Sequence, residues 1–344
     1  MSGIRVCALV GSDQVVPGRT FSVNGARGPD GNRNPTVTDS VVDPGLNTSI
    51  SEEPPGTSCA CGMVQCDCGV MAPGTTWSLP TSAQTRIPDN ETYATEIGRP
   101  EFGCGLDGLI AKRRDEGRLT GILNGIDKSW DPRADKRCPY LLDAQRWKGR
   151  YADFIRGAFG LSLARAPLFA FIARLAHQKG IDLVIAAAEP IVARGAQLVI
   201  IGRGEPEDER AVIELSERFP DAVGARVGFD AREARAVFAG ADFLLMPSRF
   251  EPCGLSQMFA QRFGALPIAH RTGGLAETVE HLVTGVLFDD ATTSSLEEAI
   301  DKAFDIYAAP RELQAMRRAA MAKSFDWEQS AARYAALYRR LAAV

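Results

Sequence analysis

Short apolar runs alternate with helical patterns along residues 167–344, and this alternation constrains the fold more than any other feature of the sequence. Short connections between such segments imply parallel strands joined by helical crossovers. The sequence therefore predicts an α/β fold with a Rossmann-like, doubly wound parallel sheet. The predicted strands are Leu168–Ile172, Leu198–Gly202, Ala225–Phe229, Phe243–Pro247, Leu266–Ala269 and Val286–Phe288.

Helical periodicity between and after these runs completes the pattern. About 170 residues of this kind are enough for one substantial hydrophobic core. The last helix carries an apolar stripe of residues spaced three and four apart: Tyr334, Leu337, Tyr338 and Leu341. The predicted helices include Ile181–Arg194, Ala231–Ala239, Ser295–Ala308, Arg311–Lys323 and Trp327–Leu341.

The composition of the 344-residue chain argues against several classes of protein. Apolar residues make up 45%, charged residues 24%, and the net charge is −4, which argues against a general binder of nucleic acid. No run of 18 apolar residues suggests a membrane span. The first ten residues lack the long apolar core and cleavage site of a signal peptide. We therefore expect a cytoplasmic protein with neither membrane nor nucleic-acid partners.

Three loops that follow predicted strands carry residues suited to an anionic ligand. In open α/β sheets, ligands bind beyond the carboxyl ends of the strands. One loop carries Arg174 and Lys179, and a guanidinium or an ammonium group can bind phosphate there. A second loop places Glu251 just before a helix, and a third contains the pair Gly273–Gly274, which lets a backbone approach a ligand closely.

Five ordered motifs, running from Thr92 towards the C-terminus, resemble the family of bacterial glycogen synthases and plant starch synthases. These are retaining glucosyltransferases that use ADP-glucose, with two Rossmann-like domains facing each other in the GT-B arrangement. The motifs are T-Y-A-T-E-I with P-E-F-G-C-G-L-D-G-L at 92–109, L-N-G-I-D at 123–127, A-R-L-x-x-Q-K-G at 173–180, P-S-R-F-E-P-C-G-L at 247–255 and R-T-G-G-L at 271–275.

The resemblance implies roles for individual residues. It places Glu251 beside the donor glucose, assigns Arg174 and Lys179 to the donor diphosphate, and puts Asn124 near the sugar site or the hinge between domains. Other retaining transferases carry a second glutamate eight positions after the first, where this chain has Phe259. The remaining residues expected to line the donor are Cys253, Gly254, Leu255, Ser256, Thr272, Gly273 and Gly274.

Each of these assignments has a plainer structural alternative. In these alternatives, Arg174 and Lys179 would form a solvated loop pair or a surface salt bridge, and Glu251 would be an acid that interacts with the dipole at a helix N-terminus. Cys253 would be an inert buried thiol, Thr272–Gly274 would be a tight turn, and Asn124 would start an ordinary Asn-Gly turn. The three histidines show no metal-site spacing, and no D-x-D motif occurs, so we expect no metal or other cofactor.

The resemblance stops before Thr92. Residues 11–91 are dense in Gly, Pro, Ser, Thr and Asn and are predicted to be irregular or disordered. They lack the K-x-G-G-L motif that opens the N-terminal domain of the family. Their C-x-C-x4-C-x-C array, Cys59 to Cys68, either binds zinc or belongs to out-of-frame or misjoined sequence.

The predicted organisation therefore has four parts. Residues 1–91 form a leader, 92–160 a remnant of the N-terminal domain with a linker, 161–325 the donor domain, and 326–344 a crossover helix. Because the N-terminal domain is predicted to be incomplete, we expect the apolar stripe of the last helix to lack most of its partner surface.

The resemblance implies a glucosyltransferase of glycogen biosynthesis. It would move glucose from ADP-glucose to the non-reducing end of an α-1,4-glucan with retention of configuration. The chain is expected to be truncated and inactive by itself. The alternatives are a non-catalytic remnant that binds a nucleotide sugar or a glucan, and a retaining transferase with another nucleotide-sugar donor.

Overall fold

The structure, a computed structural model, describes residues 19–27, 33–41, 87–132 and 147–342. The chain divides into two compact units. One unit contains the first two described segments, and the other contains every described residue from Ile87 onward.

The first unit contains a pair of antiparallel strands, β1 (Arg19–Arg27) and β2 (Arg33–Val41). Arg19 lies opposite Val41, and Arg27 lies opposite Arg33. This pairing differs from the irregular structure predicted for the leader. Both strands contain threonine and valine, and β1 also contains Phe21; these residue types favour extended backbone although Gly25 and Pro35 lie within the strands. The cysteine array at 59–68 lies outside the described residues.

The second unit is built on a six-stranded parallel sheet, which confirms the predicted fold class. Its order is β5-β4-β3-β6-β7-β8, so the chain winds outward from β3 in one direction and from β6 in the other. The boundary between β3 and β6 is therefore the topological switch point, where a doubly wound sheet opens a crevice for ligands. The strands are β3 (Leu168–Ile172), β4 (Gln197–Gly202), β5 (Val223–Val227), β6 (Phe243–Met246), β7 (Leu266–His270) and β8 (Val286–Phe288).

Helices cover both faces of the sheet, so its central strands are buried on both sides. On β3, Phe169 and Phe171 point into one core cluster, while Leu168, Ala170 and Ile172 point into the other. The helices are α1 (Glu91–Glu96), α2 (Asp107–Asp115), α3 (Trp147–Ala158), α4 (Ile181–Ala193), α5 (Pro206–Arg218), α6 (Ala231–Gly240), α7 (Ser256–Arg262), α8 (Gly273–Thr278), α9 (Thr293–Ala308), α10 (Pro310–Ala322) and α11 (Trp327–Ala342).

The helices divide between the two faces according to their apolar sides. The first cluster receives α4, α5, α9 and α10, and the second receives α3, α6, α7 and α8. Throughout the described part of the chain, none of these helices combines the length and the apolar character that a membrane span requires.

The segment 121–127, which contains the L-N-G-I-D motif, packs between α1 and the start of α11. Two glycines allow this approach. A Cβ atom at Gly121 would lie 2.1 Å from the carbonyl carbon of Asn90, and one at Gly125 would lie 2.6 Å from the backbone of Trp327. The Ile126 N–H donates to the carbonyl of Phe325 at 2.8 Å. The motif therefore joins the first described residues of this unit to the last helix.

The terminal helix has more partner surface than the sequence predicts. Leu337 is buried against Ile87 and Ile122, and Tyr334 and Leu341 are partly buried against the same cluster. The hydroxyl of Ser330 and the guanidinium of Arg333 donate to backbone carbonyls at Leu123 and Gly121. The expectation of an uncovered stripe is therefore corrected for three of its four residues, while Tyr338 stays exposed.

We predict that Gly125→Ala destabilises the protein by about 1–3 kcal/mol, because the added methyl group meets backbone atoms that cannot rotate away. Urea unfolding measures the free energy. The matched control is Gly149→Ala in α3, where a Cβ atom meets nothing within 4 Å. Alanine in that exposed helical position should stabilise by up to about 1 kcal/mol. Equal effects of the two substitutions would contradict this account of the segment.

Candidate active site

The three predicted site loops lie side by side at the carboxyl edge of the sheet. They follow β3, β6 and β7, which are neighbours in the sheet order. The loop with Arg174 and Lys179 and the loop with Glu251 flank the switch point. The turn with Gly273 and Gly274 stands next to the second loop. The topology therefore brings together the residues that the sequence placed in three separate motifs.

Glycine allows the first two loops to touch. Gly180 has a left-handed backbone with φ 73°, and a Cβ atom there would lie 2.3 Å from the carbonyl oxygen of Pro247. The Arg249 N–H donates to the carbonyl of Gln178 at 2.9 Å, and its guanidinium pairs with Asp182. These contacts fix the distance across the switch point.

A buried ion pair crosses the switch point. The Lys179 Nζ lies 2.7 Å and 3.0 Å from the two carboxylate oxygens of Glu251. Lys179 is 6% exposed and Glu251 is 3% exposed. The hydroxyl of Ser248 donates to the same carboxylate at 3.1 Å. Glu251 is thus held in one orientation, and Lys179 has a fixed, buried partner.

Arg174 has a different environment although it belongs to the same loop. Its side chain is exposed, and its Nη2 donates to the Gln178 side chain at 2.9 Å. An exposed guanidinium held by one neutral amide keeps donors available for a ligand. The two cations of the motif therefore differ: Lys179 is committed to Glu251, and Arg174 faces solvent at the edge of the crevice.

The Thr272–Gly274 turn packs directly behind the Glu251 loop. Gly273 has φ 41°, and a Cβ atom there would lie 1.9 Å from the Glu251 carbonyl oxygen. A Cβ atom on Gly274 would lie 1.8 Å from the Cys253 carbonyl oxygen. The Gly274 N–H donates to the Glu251 carbonyl at 2.9 Å. Both glycines are needed for this approach, so the turn forms part of the wall of the site.

The N–H groups of this turn have acceptors within the protein. Glu96 Oε1 accepts from the Gly273 N–H at 2.9 Å and from the Thr272 hydroxyl at 3.0 Å. Glu96 belongs to the T-Y-A-T-E-I motif, but it was not among the predicted site residues. In the sequence, only its position in that motif could have indicated a role at the site, because a glutamate at the end of a short helix has no other distinguishing feature.

The remaining residues of the P-C-G-L-S sequence form the floor of the loop, in which Cys253 and Gly254 are buried and Leu255 and Ser256 are half-buried. Cys253 is 6% exposed, and burial, reinforced by the nearby Asp89 carboxylate, raises the pKa of its thiol. Gly254 has φ 70°, which favours glycine. Leu255 precedes α7, and the Ser256 hydroxyl donates to the carbonyl of Ile172 at the end of β3. Cys253 therefore contributes a small buried side chain and not a reactive thiolate.

Asn124 reaches this floor from the L-N-G-I-D motif. Its side-chain amide donates to Asp89 Oδ1 at 3.1 Å and also hydrogen-bonds the Cys253 thiol. Asn90 beside it donates to the carbonyl of Pro252. Asn124 thus lies against the predicted donor loop.

Phe259, eight positions after Glu251, is part of the packing and not of the crevice. Its ring stacks on Trp130 with centroids 3.8 Å apart. The Arg235 guanidinium also lies over the Trp130 ring, 3.7 Å from its centroid. A carboxylate at position 259 would lose the stacking on Trp130 and the contact with the Phe238 ring. The packing thus explains why an apolar residue occupies this position.

Two of the three histidines make hydrogen bonds that join backbone segments, while His177 is exposed near Asp182. His270 places its two ring nitrogens 2.7 Å and 3.1 Å from the carbonyls of Ser248 and Asp289, and His281 accepts the Leu287 N–H. Across residues 87–132 and 147–342, no group of three or more His, Cys, Asp or Glu side chains is arranged to hold a metal ion.

Comparison with known proteins identifies the class. The family model described as "Glycosyl transferases group 1" matches residues 160–321. The structure resembles the catalytic domain of starch synthase IV from Arabidopsis thaliana, solved with ADP and acarbose. The TM-score is 0.70 and the identity 30%, over 75% of this chain and 56% of that one. A sucrose-phosphate synthase from Thermosynechococcus elongatus gives a TM-score of 0.52 at 26% identity, over 76% of this chain and 59% of the other. The fold and the loops at the switch point are therefore those of the GT-B class of glycosyltransferase folds.

Sequence relatives narrow the class. Glycogen synthase 1 of Bradyrhizobium diazoefficiens is 54% identical over 255 residues, which are 74% of this chain and 55% of the relative. The glycogen synthase of Pseudomonas syringae pv. syringae is 54% identical over 252 residues, 73% of this chain and 52% of the relative. The chain belongs to the family of bacterial glycogen synthases and starch synthases. It spans about half the length of the curated relatives it matches.

We predict that Lys179→Met destabilises the protein by about 3–5 kcal/mol, because it leaves the buried Glu251 carboxylate without its cation. Combining it with Glu251→Gln should cost less than the sum of the single changes by about 0.5–3 kcal/mol. Urea unfolding of the four chains measures both quantities. The control is Arg271→Met, which removes the exposed pair with Asp289 and should cost less than about 1 kcal/mol. If the free-energy changes of Lys179→Met and Glu251→Gln simply added in the double variant, the two side chains would not form a stabilising ion pair.

Proposed function

We propose that the crevice at the switch point binds ADP-glucose, and that the protein transfers its glucose to the non-reducing end of an α-1,4-glucan with retention of configuration. The observation that carries this proposal is the buried Glu251, oriented by Ser248 and by Lys179, whose loop also carries the exposed Arg174. Support comes from relatives named glycogen synthase and from a starch synthase solved with ADP and acarbose.

Arg174 is suited to the donor diphosphate. Negative charge grows on the oxygens of a departing nucleoside diphosphate, so a cation placed beforehand stabilises the transition state. The guanidinium of Arg174 can bind two phosphate oxygens at once. Lys179 adds a second positive charge from the same loop. To bind the diphosphate directly, its ammonium group would have to give up part of its pairing with Glu251.

Glu251 is suited to the sugar end of the donor. Breaking the bond to the anomeric carbon places positive charge on the sugar ring, and a fixed carboxylate nearby stabilises that charge. Retention through a covalent intermediate uses two carboxylates on either side of the bond. Phe259 occupies the position where other retaining transferases carry their second glutamate. Glu251 therefore acts in this proposal by charge and by hydrogen bonds to hydroxyls, without a paired nucleophile.

The proposal has three further parts. The transfer needs no metal or other cofactor, because the cations that face the diphosphate are side chains. The glucan is the acceptor, and it must be fixed relative to the donor, since fixed geometry contributes about 7–11 kcal/mol of barrier lowering. The protein works in the cytoplasm, without nucleic-acid or membrane partners.

The donor site is tested by calorimetry with ADP. We expect Arg174→Ala to weaken ADP binding by about 1.5–3 kcal/mol, the loss of a charged hydrogen bond. Arg165→Ala, an exposed arginine outside the three loops, should leave the affinity unchanged. The native chain should also bind ADP more tightly than UDP. Equal ADP affinity in the native chain and in Arg174→Ala would refute the assignment, and a preference for UDP would point to another donor.

The role of Glu251 is tested by kinetics. We expect Glu251→Gln to lower kcat at least tenfold, about 1.4 kcal/mol of barrier, with a much smaller change in KM. The enzyme for this assay is the chain joined to the part of the Bradyrhizobium relative that it does not match. Labelled glucose transferred from ADP-glucose to glycogen is measured. A fall in turnover of less than tenfold would remove Glu251 from a central role. Donor binding without any transfer in the unsubstituted fusion would favour a binding remnant.

A further inference from the structure

The third loop of the site depends on a residue from outside the donor sheet. Glu96 ends α1, more than 170 positions before the Thr272–Gly274 turn, and its side chain is 9% exposed. One carboxylate oxygen, Oε1, accepts both hydrogen bonds from that turn, from the Gly273 N–H and from the Thr272 hydroxyl. The turn is therefore held from the front by Glu96 and from behind by Glu251, whose carbonyl accepts from Gly274.

This turn has almost no freedom to move independently of the Glu251 loop. Both glycines lie against carbonyl oxygens of that loop, at distances where a single methyl group would not fit. A shift of the turn therefore displaces the backbone that carries the Glu251 and Cys253 side chains. The contact from Glu96 consequently acts on the sugar end of the crevice. The diphosphate end belongs to a different loop, the one that carries Arg174.

The second carboxylate oxygen of Glu96 indicates that the residue serves to position the turn and not to stabilise the fold. Oε2 is buried and has no hydrogen-bond partner among the described residues. A buried carboxylate oxygen without a partner lowers the stability of the folded state. The buried Oε2 of Glu96 thus destabilises the folded state, whereas Oε1 accepts both hydrogen bonds from the turn. Such unsatisfied buried groups concentrate where a protein places a residue for function.

We propose that Glu96 is a positioning residue for the donor sugar: it fixes the Thr272–Gly274 turn, and through it the backbone of the Glu251 loop. The inference rests on the proposed function, since it takes the ligand to be ADP-glucose. The proposal predicts different effects at the glucose end and at the ADP end of the donor. Loss of the Glu96 contact should weaken the contribution of the glucose to binding and leave the contribution of the ADP unchanged.

The test compares ADP with ADP-glucose by calorimetry on the whole chain. In Glu96→Ala we expect ADP affinity within twofold of the native value and ADP-glucose affinity reduced about tenfold. Glu96→Gln keeps an oxygen at the place of Oε1 and should stay within threefold of the native ratio of the two affinities. The control is Glu101→Gln, an exposed glutamate five positions further along, which should change neither affinity.

Hydrogen exchange provides a readout that needs no ligand. Mass spectrometry with residue-level fragmentation should show faster exchange of the Gly273 amide in Glu96→Ala, with protection of β3 and β6 unchanged. Thr272→Val removes one of the two donors, and it should show the same effects at smaller size if Glu96→Ala does not fold.

Each outcome decides between the two proposals. A native chain that binds neither ligand refutes the proposed function, whereas exchange at Gly273 still tests whether Glu96 holds the turn. Unchanged Gly273 exchange in Glu96→Ala overturns the positioning role. Faster exchange together with equal losses of ADP and ADP-glucose affinity also overturns it, because the residue would then be only structural.

Discussion

The ion pair between Lys179 and Glu251 is the interaction on which the rest of the site depends. It joins the loop after β3 to the loop after β6, the two strands at which the winding of the sheet reverses direction. Neither side chain would be tolerated in that place alone, because an unpaired buried charge costs several kcal/mol. The contacts around the pair, from Gly180 to Pro247 and from Arg249 to Gln178, keep the two loops at the distance that the pair requires.

The second constraint is the way in which residues 87–126 pack against the loops of the parallel sheet. Asn90, Glu96 and Asn124 all make hydrogen bonds at or beside the site loops. Asn90 and Glu96 bond to backbone groups of the loops, at Pro252 and Gly273, and Glu96 also accepts from the Thr272 hydroxyl. The residues that precede the sheet in the sequence are therefore built into the candidate site.

The sheet and its helices could be predicted from the sequence because apolar runs and helical spacing determine them locally. All six strands occur where the runs stand, although β5 begins two residues before its predicted start and ends before Phe229. The three site loops could also be predicted, because their position after neighbouring strands follows from the winding of the sheet.

What the sequence could not provide were contacts between distant residues. The partner of Lys179 lies 72 positions away, and the partners of Glu96 lie 176 and 177 positions away. Local patterns carry no information on such pairs. The antiparallel pair of β1 and β2 differs from the prediction of an irregular leader for another reason: a composition rich in glycine and proline hid the threonine and valine residues that favour strands there.

The terminal helix α11 has a consequence for the order of folding. Ser330 and Arg333 bond to carbonyls that lie 207 and 212 positions earlier in the chain. During synthesis, Ile87 and Ile122 leave the ribosome long before Leu337, which covers them, exists. The sheet can form from contacts of shorter range, whereas this last docking step must close a loop that spans the whole unit. Until then Leu337 does not cover the two isoleucines, and this exposed apolar surface is a site that a chaperone could bind.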